Sequence, residues 1–338
     1  MKMEEALVKE LCRILSAVRI LAPDSLLFAG EITSPSVDES SLQQAQDARF
    51  LMTQHLGRLL YLQCYCRRFT GEMDHREIIS DADPVFVKRL SYANNSREHL
   101  NPGWRVIRKL PTGHFVAEKN GLTRLLFAGD FIAHSDFRGP VEEGTAISIF
   151  RPRESTTMHP GFYYIFGEAL GDDQDDRDLL RFYWNVKADG ATKLVSLLTT
   201  RLNRFQLSFR LKILNNPAAY IRADAAVLYL NKRAYHLAAE LLSDVYTQLT
   251  EELNPDTPLF TKKLAAGLGL AEEPTTGESF GQQRCRILAH ALWSTFQNKQ
   301  DDDESRLQEI SAQLDANGID SEFPYRNAGS DGLYDFPS

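Results

Sequence analysis

Between Glu4 and Ile20 the apolar residues Leu7, Leu11, Ile14, Leu15 and Val18 recur at three- and four-residue intervals, which predicts a helix with one buried face. A second stripe, Phe50, Leu51, Leu56, Leu59, Leu60 and Leu62, predicts a helix from about Ser41 to Arg68 that stops near Gly71. The stretch between them, PDSLLFAGEITSPSVDESS, has Pro, Gly and Ser at loop density, with Leu26, Leu27 and Phe28 expected to pin it to the body. Residues 1–100 are therefore expected to form a helical N-terminal region. Past Pro102 the period shortens: WRVIRKLPTGHFVAEKNGLTRLLFAGDF holds short β-rich runs cut by PTG and NG, the pattern of an antiparallel meander. AISIFRP and GFYYIFGEAL extend that character to Leu170. RFYWNVKA then predicts a strand, followed by a helix capped by Asp189 with Leu194, Leu197, Leu198, Leu202 and Phe205 on one side, and by the strand QLSFRLKIL.

DAAVLYLN predicts a further strand, and a long amphipathic helix should run from Lys232 to Leu253, bounded by the NPDTP turn. Residues 259–273 are expected to hold a short helix, Phe280 to Phe296 a longer one and Arg306 to Leu314 a last one. From Asn317 onward the periodicity fades into Gly, Pro, Ser and Asp, which predicts a flexible tail over 317–338. The expected fold class is α+β. A helical N-terminal region precedes a mostly antiparallel or mixed sheet with helices packed on one face, the α+β domain expected to span 101–316.

With 338 residues, 43% of them apolar, the chain can bury about two domains' worth of core. A net charge of -8 argues against a nucleic-acid coat, and no apolar run approaches the roughly 20 residues that cross a bilayer. The start, MKMEEALVKELCRIL, puts acids where a secretory signal carries bases, so a cytoplasmic protein is expected. Four scattered cysteines fit a reducing compartment and make no zinc-ligand pattern. The acidic blocks Asp172 to Asp178 and Asp301 to Glu304 read as solvated loops, lacking the spacing of a calcium loop.

The phosphate-loop, dinucleotide, nucleophile-elbow, zinc-protease and kinase motifs are all missing, and the eight histidines show no ligand spacing. No metal or cofactor is expected. Strand alternation puts Arg181, Tyr183 and Asn185 on one face and Phe182, Trp184 and Val186 on the other. Likewise Ser208, Arg210 and Lys212 oppose Leu207, Phe209, Leu211 and Ile213, and Arg222 and Tyr229 follow in AAYIRADAAVLYL. Two readings stay open: cations facing water, or an anion site in which guanidinium groups hold a phosphate and a lysine among them serves as base. The second suits β-elimination of phosphate from phosphoserine or phosphothreonine.

RFYWN, SFRLKIL, NNPAAYIRADAAVLYLNK, PLFTKKLAAGLGLAEEP and GESFGQQRCR resemble the HopA family, named for a plant-pathogen type III secretion effector. Members encoded beside precursor peptides and a kinase-like protein serve as lyases in lanthipeptide and related maturation, giving dehydroalanine or dehydrobutyrine. The resemblance, with a remoter one to phosphothreonine lyases, implies Lys212 as the base that takes the α-proton and Arg222, Arg284 and Arg286 as phosphate ligands. It implies Arg181 as the basic residue opening the first strand and Tyr229 as the lyase tyrosine. The sequence departs at Tyr183, which stands where the lyases carry their acid histidine; a phenol, with an ordinary pKa of about 10, is a weaker acid at pH 7. His159 is a distant substitute, and Asp224 could orient Arg222. The implied partners are a phosphorylated precursor peptide, a separate kinase-like protein and a cyclase, with neither nucleic acid nor membrane. The alternatives are a non-catalytic, effector-like protein-binding module and a phosphate-hydrolysing enzyme.

Overall fold

Leu11, Ile14 and Leu15 bury one face of α1 (Glu5–Leu15), and the chain then leaves the helix earlier than its periodicity predicts. The four-residue step from Ile14 to Val18 fits a strand as well as a helix; Val18 and Ile20 are buried while Arg19 is exposed, the alternation of β1 (Val18–Ala22). With β2 (Ser25–Phe28) and β3 (Glu31–Thr33) it forms a three-stranded antiparallel meander. The computed structural model describes residues 3–35, 48–76, 81–134, 139–171 and 178–337. The expected start of the second helix at 41–47 and most of the first acidic block lie outside these residues. Within them α2 (Ala48–Leu60) passes into a π-helical turn, Tyr61–Tyr65. Helix α3 (Pro84–Ala93), which hydrophobic spacing did not announce, starts at Asp83, whose Oδ1 accepts from the Val85 and Phe86 amides, with Pro84 in the first turn.

Strands β4 (His99–Lys109), β5 (Phe115–Lys119), β6 (Leu122–Leu126), β7 (Phe131–Ala133) and β8 (Ala146–Arg151) make a sheet of order β6-β5-β4-β8-β7. Its β5–β6 turn is the expected Asn120-Gly121, both at positive φ, which a two-residue hairpin loop requires. Trp104, Val106, Phe115, Ala117, Leu126, Ile147 and Ile149 give it a small core of its own. The rest of the chain shares one large core.

That core surrounds a seven-stranded sheet built in chain order from β9 (Glu154–Ser155), β10 (Phe162–Phe166), β11 (Leu179–Trp184), α4 (Ala191–Arg204), β12 (Phe209–Leu214), β13 (Ala226–Asn231), α5 (Tyr235–Thr247), β14 (Lys262–Ala265) and β15 (Leu268–Glu272). The order is β14-β15-β11-β13-β12-β10-β9, antiparallel throughout. The fold is α+β, as predicted. Against one face lies α5, whose Tyr235 stacks on Phe182; against part of the other lie the π-helical turn and α6 (Phe280–Gln297), which bring Tyr65 and Phe280 onto Tyr183.

Residues 262–272 form a hairpin where a short helix was expected. Gly267 adopts φ +73, which turns the chain, and LGLAE is buried along its whole length as an interior strand between β14 and β11. Asp189 does not cap α4; it sits in a 3-10 turn, Ala188–Gly190, and Gly190 is the N-cap. The helix expected from Lys232 is shortened to α5 by 3-10 turns on either side.

After α7 (Asp303–Ala316) the segment expected as a flexible tail is laid against β15. Its aromatic residues anchor it despite the loop-like composition: Tyr334 is buried and donates its hydroxyl to Glu272, and the Asn327 amide donates to the same carboxylate at 2.8 Å. Tyr235 Oη also donates to the Asp335 carbonyl at 3.0 Å.

Candidate functional site

Strands β11, β13 and β12 are adjacent, so register alone brings the expected cations together. Arg181 lies opposite Tyr229, and Tyr229 lies opposite Arg210. The Tyr229 ring is shared by three cations: the Arg210 guanidinium at 4.5 Å from its centroid, that of Arg181 at 5.2 Å and the Lys212 ammonium at 6.0 Å. Lys212 lies opposite Tyr164 of β10, and its ammonium sits 4.7 Å from the centroid of the Phe162 ring. The Arg222 guanidinium approaches that ring at 5.5 Å. This face is not water-facing where β11 crosses it: Arg181 is 5% exposed and Tyr183 1%.

Arg222 sits in the bend before β13, where Pro217–Ala219 form a 3-10 turn and the Ala223 amide donates to the Cys66 carbonyl at 2.6 Å. It grips Asp224 through Nε at 2.7 Å and Nη2 at 2.8 Å, a forked pair with both residues buried. Burial would raise the Asp224 carboxyl, but Arg222, its hydrogen bonds and the nearby Lys212 outweigh that and hold it below its ordinary value. Arg222 Nη2 also reaches Tyr61 Oη of the π-helical turn at 3.5 Å. Arg181 forms a second forked pair, donating to both oxygens of Glu273. Burial works against its charge, and the Tyr183 and Tyr229 hydroxyls with Glu273 overcome that and keep it protonated.

Arg210 and Lys212 make no ion pair among the described residues, and the Arg210 Nε is buried without a hydrogen-bond partner. Beside Arg210 and Tyr229 opens a cavity of about 110 Å³, to which the five-stranded sheet contributes Arg124 and Arg151. Neither the rings of Phe162 and Tyr164 nor the carboxylate of Glu273 was singled out from sequence. Their alternation is visible in GFYYIF and AEEP, but only the strand order shows which cations they meet.

Of three further expected residues, Tyr183 lies beside Arg181 but is closed off, and the two arginines of α6 stand apart. Tyr183 is sealed beneath Tyr65 and Phe280, each with its ring centroid 6.4 Å away, and burial pushes its phenol up to about 12. Arg284 is fully buried, donating from Nε to the Pro324 carbonyl and from Nη2 to the Arg326 carbonyl, both at 2.8 Å, so it clamps the C-terminal segment. Burial lowers it to about 10, still protonated at neutral pH. Arg286 is two residues further along α6, about 200° around the helix, and pairs with Glu278 at 2.8 Å in a different cavity. The two arginines therefore do not converge on one phosphate. His159, by contrast, packs edge-on against Phe162 at 5.5 Å, on the ring that carries Lys212 and Arg222, with Nδ1 against the Pro160 carbonyl at 2.6 Å.

A model of the HopA1 effector protein family matches residues 153–326, just over half of the chain. The chain belongs to the HopA1 effector protein family. All seven strands of the large sheet fall inside the HopA1 match, as do α4 to α7. Among the solved structures to which the chain is similar are two effector proteins. One is the effector protein from Pseudomonas syringae pv. tomato strain DC3000, at 18% identity over 84% of this chain and 99% of that one, with a TM-score of 0.43. The other is that from pv. syringae strain 61, at 18% identity over 86% and 94%, with a TM-score of 0.42. No match was found among curated proteins. Among the described residues no helix is long and apolar enough to cross a membrane.

Proposed function

We propose that this HopA1-family protein is a lyase that eliminates phosphate from phosphoserine or phosphothreonine in a peptide. The observation that carries the reading is the meeting of Lys212 and Arg222 on one ring, Phe162, with Asp224 fixing the guanidinium from behind. In the reaction the Lys212 amine takes the α-proton. The electron pair released at Cα forms the Cα=Cβ bond, and the Cβ–O bond breaks with its pair leaving on phosphate. Arg222, Arg210 and Arg181 supply the positive field in which the leaving dianion develops. Two of them are already forked onto carboxylates, which fixes their direction but offsets part of their charge.

Proton donation to the leaving group is assigned to Tyr229 or, in its imidazolium form, to Nε2 of His159, whose Nδ1 proton is donated to the Pro160 carbonyl. Tyr183, the acid expected by analogy, is a poor donor at an upward-shifted pKa and has no path to the substrate. The substrate is read as a precursor peptide phosphorylated by a separate kinase-like protein, with a cyclase acting on the alkene. A second reading, an effector-like binding module without chemistry, is favoured by the diversion of Arg284 to backbone carbonyls. Incubation with a phosphothreonine peptide, read by intact mass, separates the readings. A product one water lighter than the unphosphorylated peptide supports elimination, the unphosphorylated mass itself means hydrolysis, and an unchanged phosphopeptide favours binding.

A further inference from the structure

Along the outer side of α2 and its π-helical turn run three cavities of about 500, 370 and 650 Å³ that share walls. The first and second both use Arg58 and Leu62; the second and third both use Gln63, Arg67, Asp74 and Arg76. They form one groove, starting beside Glu278 and Arg286 and ending at Asp256. Its outer wall is built rather than incidental. Gln63 exchanges hydrogen bonds with the Asp74 backbone at 3.0 and 3.1 Å, and Arg67, 7% exposed, donates to the carbonyls of Asp74 at 2.8 Å and Arg76 at 2.6 Å.

The groove has the opposite sign to the molecule. Six arginines line it (Arg13, Arg58, Arg67, Arg68, Arg76 and Arg286) against four carboxylates, in a chain of net charge -8. Arg67 and Arg76 pair with Asp74, Arg68 with Asp256 and Arg286 with Glu278. Arg13 and Arg58 have no ion-pair partner among the described residues, and the buried Nε of Arg67 has no hydrogen-bond partner. From Thr53 to Tyr65 the helical wall is about 18 Å long, the span of five or six extended residues.

We infer that this groove binds an extended peptide segment bearing acidic side chains, which settle on Arg13, Arg58 and Arg67. It runs past Tyr61, whose hydroxyl reaches Arg222, so a chain held here enters the reacting face from the N-terminal helices. That the segment belongs to the phosphorylated substrate rests on the proposed elimination; the binding itself does not. The test is fluorescence anisotropy of the full chain with a labelled peptide of about eight residues carrying Glu at alternate positions, beside its Gln counterpart. Binding to the Glu peptide is expected to weaken with salt and to fall about tenfold or more in Arg13→Glu/Arg58→Glu, and to fall in each single variant, while Arg89→Glu, the same charge change as each of those singles but placed on α3, leaves it intact. Arg13→Gln and Arg58→Gln, each checked by thermal unfolding, provide the milder replacements should the double variant fold poorly. Absence of binding, equal binding of the Gln peptide, or equal loss in Arg89→Glu overturns the inference. Elimination from a short phosphopeptide without acidic residues, measured in parallel, reports on the lyase reading alone.

Discussion

Asp224 is the residue on which the cation cluster turns. It is 3% exposed and neutralises Arg222 through two hydrogen bonds, so Asp224→Asn leaves a buried guanidinium without its counter-charge. Breaking a buried pair from one side costs about 3–5 kcal/mol, which urea unfolding of the variant should register; a loss below about 1 kcal/mol contradicts the pairing. Glu272 is the other buried carboxyl held low: burial would raise it, but Ser330, Tyr334, the Asn327 amide and Lys232 outweigh that. A carboxyl depressed on folding contributes stability that is complete above its unfolded pKa and is lost as the pH falls through the folded one. Stability tied to Asp224 and Glu272 should therefore hold down to about pH 5 and decline below about pH 4, with a smaller decline in Asp224→Asn. A denaturant midpoint flat from about pH 5 to about pH 3 contradicts both assignments. Strand alternation alone put Lys212 and Arg210 together and set Phe182 and Trp184 in the core. The sequence also raised Asp224 as a partner of Arg222, but it could not reveal that Glu273 occupies Arg181 or that α6 turns Arg284 away from Arg286.

At the scale of elements, the seam between the π-helical turn and α6 decides how the sheet face that carries Arg181 and Tyr183 is closed. Gly281, in the first turn of α6, lies directly under the Tyr65 ring, and a Cβ there would overlap the ring itself rather than the end of a flexible side chain. Gly281→Ala should cost about 1–3 kcal/mol and disturb Tyr65, Phe280 and Tyr183 together, seen as a lowered melting temperature with altered near-ultraviolet dichroism. An unchanged melting temperature would mean that the seam is looser than its packing implies. Elements with one strong period were legible: α6, β11, β12 and β13 lie where the sequence puts them. Those in which two periods coincide were not. Ile14 to Val18 hides the change from helix to strand, and LAAGLGLAE reads as helix until Gly267 takes a positive φ and Leu268 and Leu270 are buried inside a sheet.

At the scale of the molecule, the expected division at residue 100 is not where the core divides. Leu11, Leu56, Tyr65 and Leu90 share one core with Tyr183, Leu228, Phe280 and Tyr334, whereas the five-stranded sheet of 99–151 has its own. Arg306 Nη1 ties α7 to the Leu15 carbonyl at 2.9 Å, and Ala223 is bonded to Cys66. A fragment of residues 101–338 should therefore lack a cooperative unfolding transition, since removing residues 1–100 exposes the apolar side of α6. A sharp transition like that of the full chain would restore the boundary drawn from sequence. That the N-terminal helices belong to this core was unreadable because contacts between α2 and α6 span more than two hundred residues and leave no local pattern.

In the proposed elimination Lys212 removes the α-proton of a phosphorylated residue held by Arg222. The most direct test of this step is the intact mass of a phosphothreonine peptide after incubation with the full chain and, separately, with Lys212→Ala of matching melting temperature. A product one water lighter than the unphosphorylated peptide is expected with the first protein and untouched phosphopeptide with the second. An equal yield of the alkene from both proteins would contradict that role of Lys212.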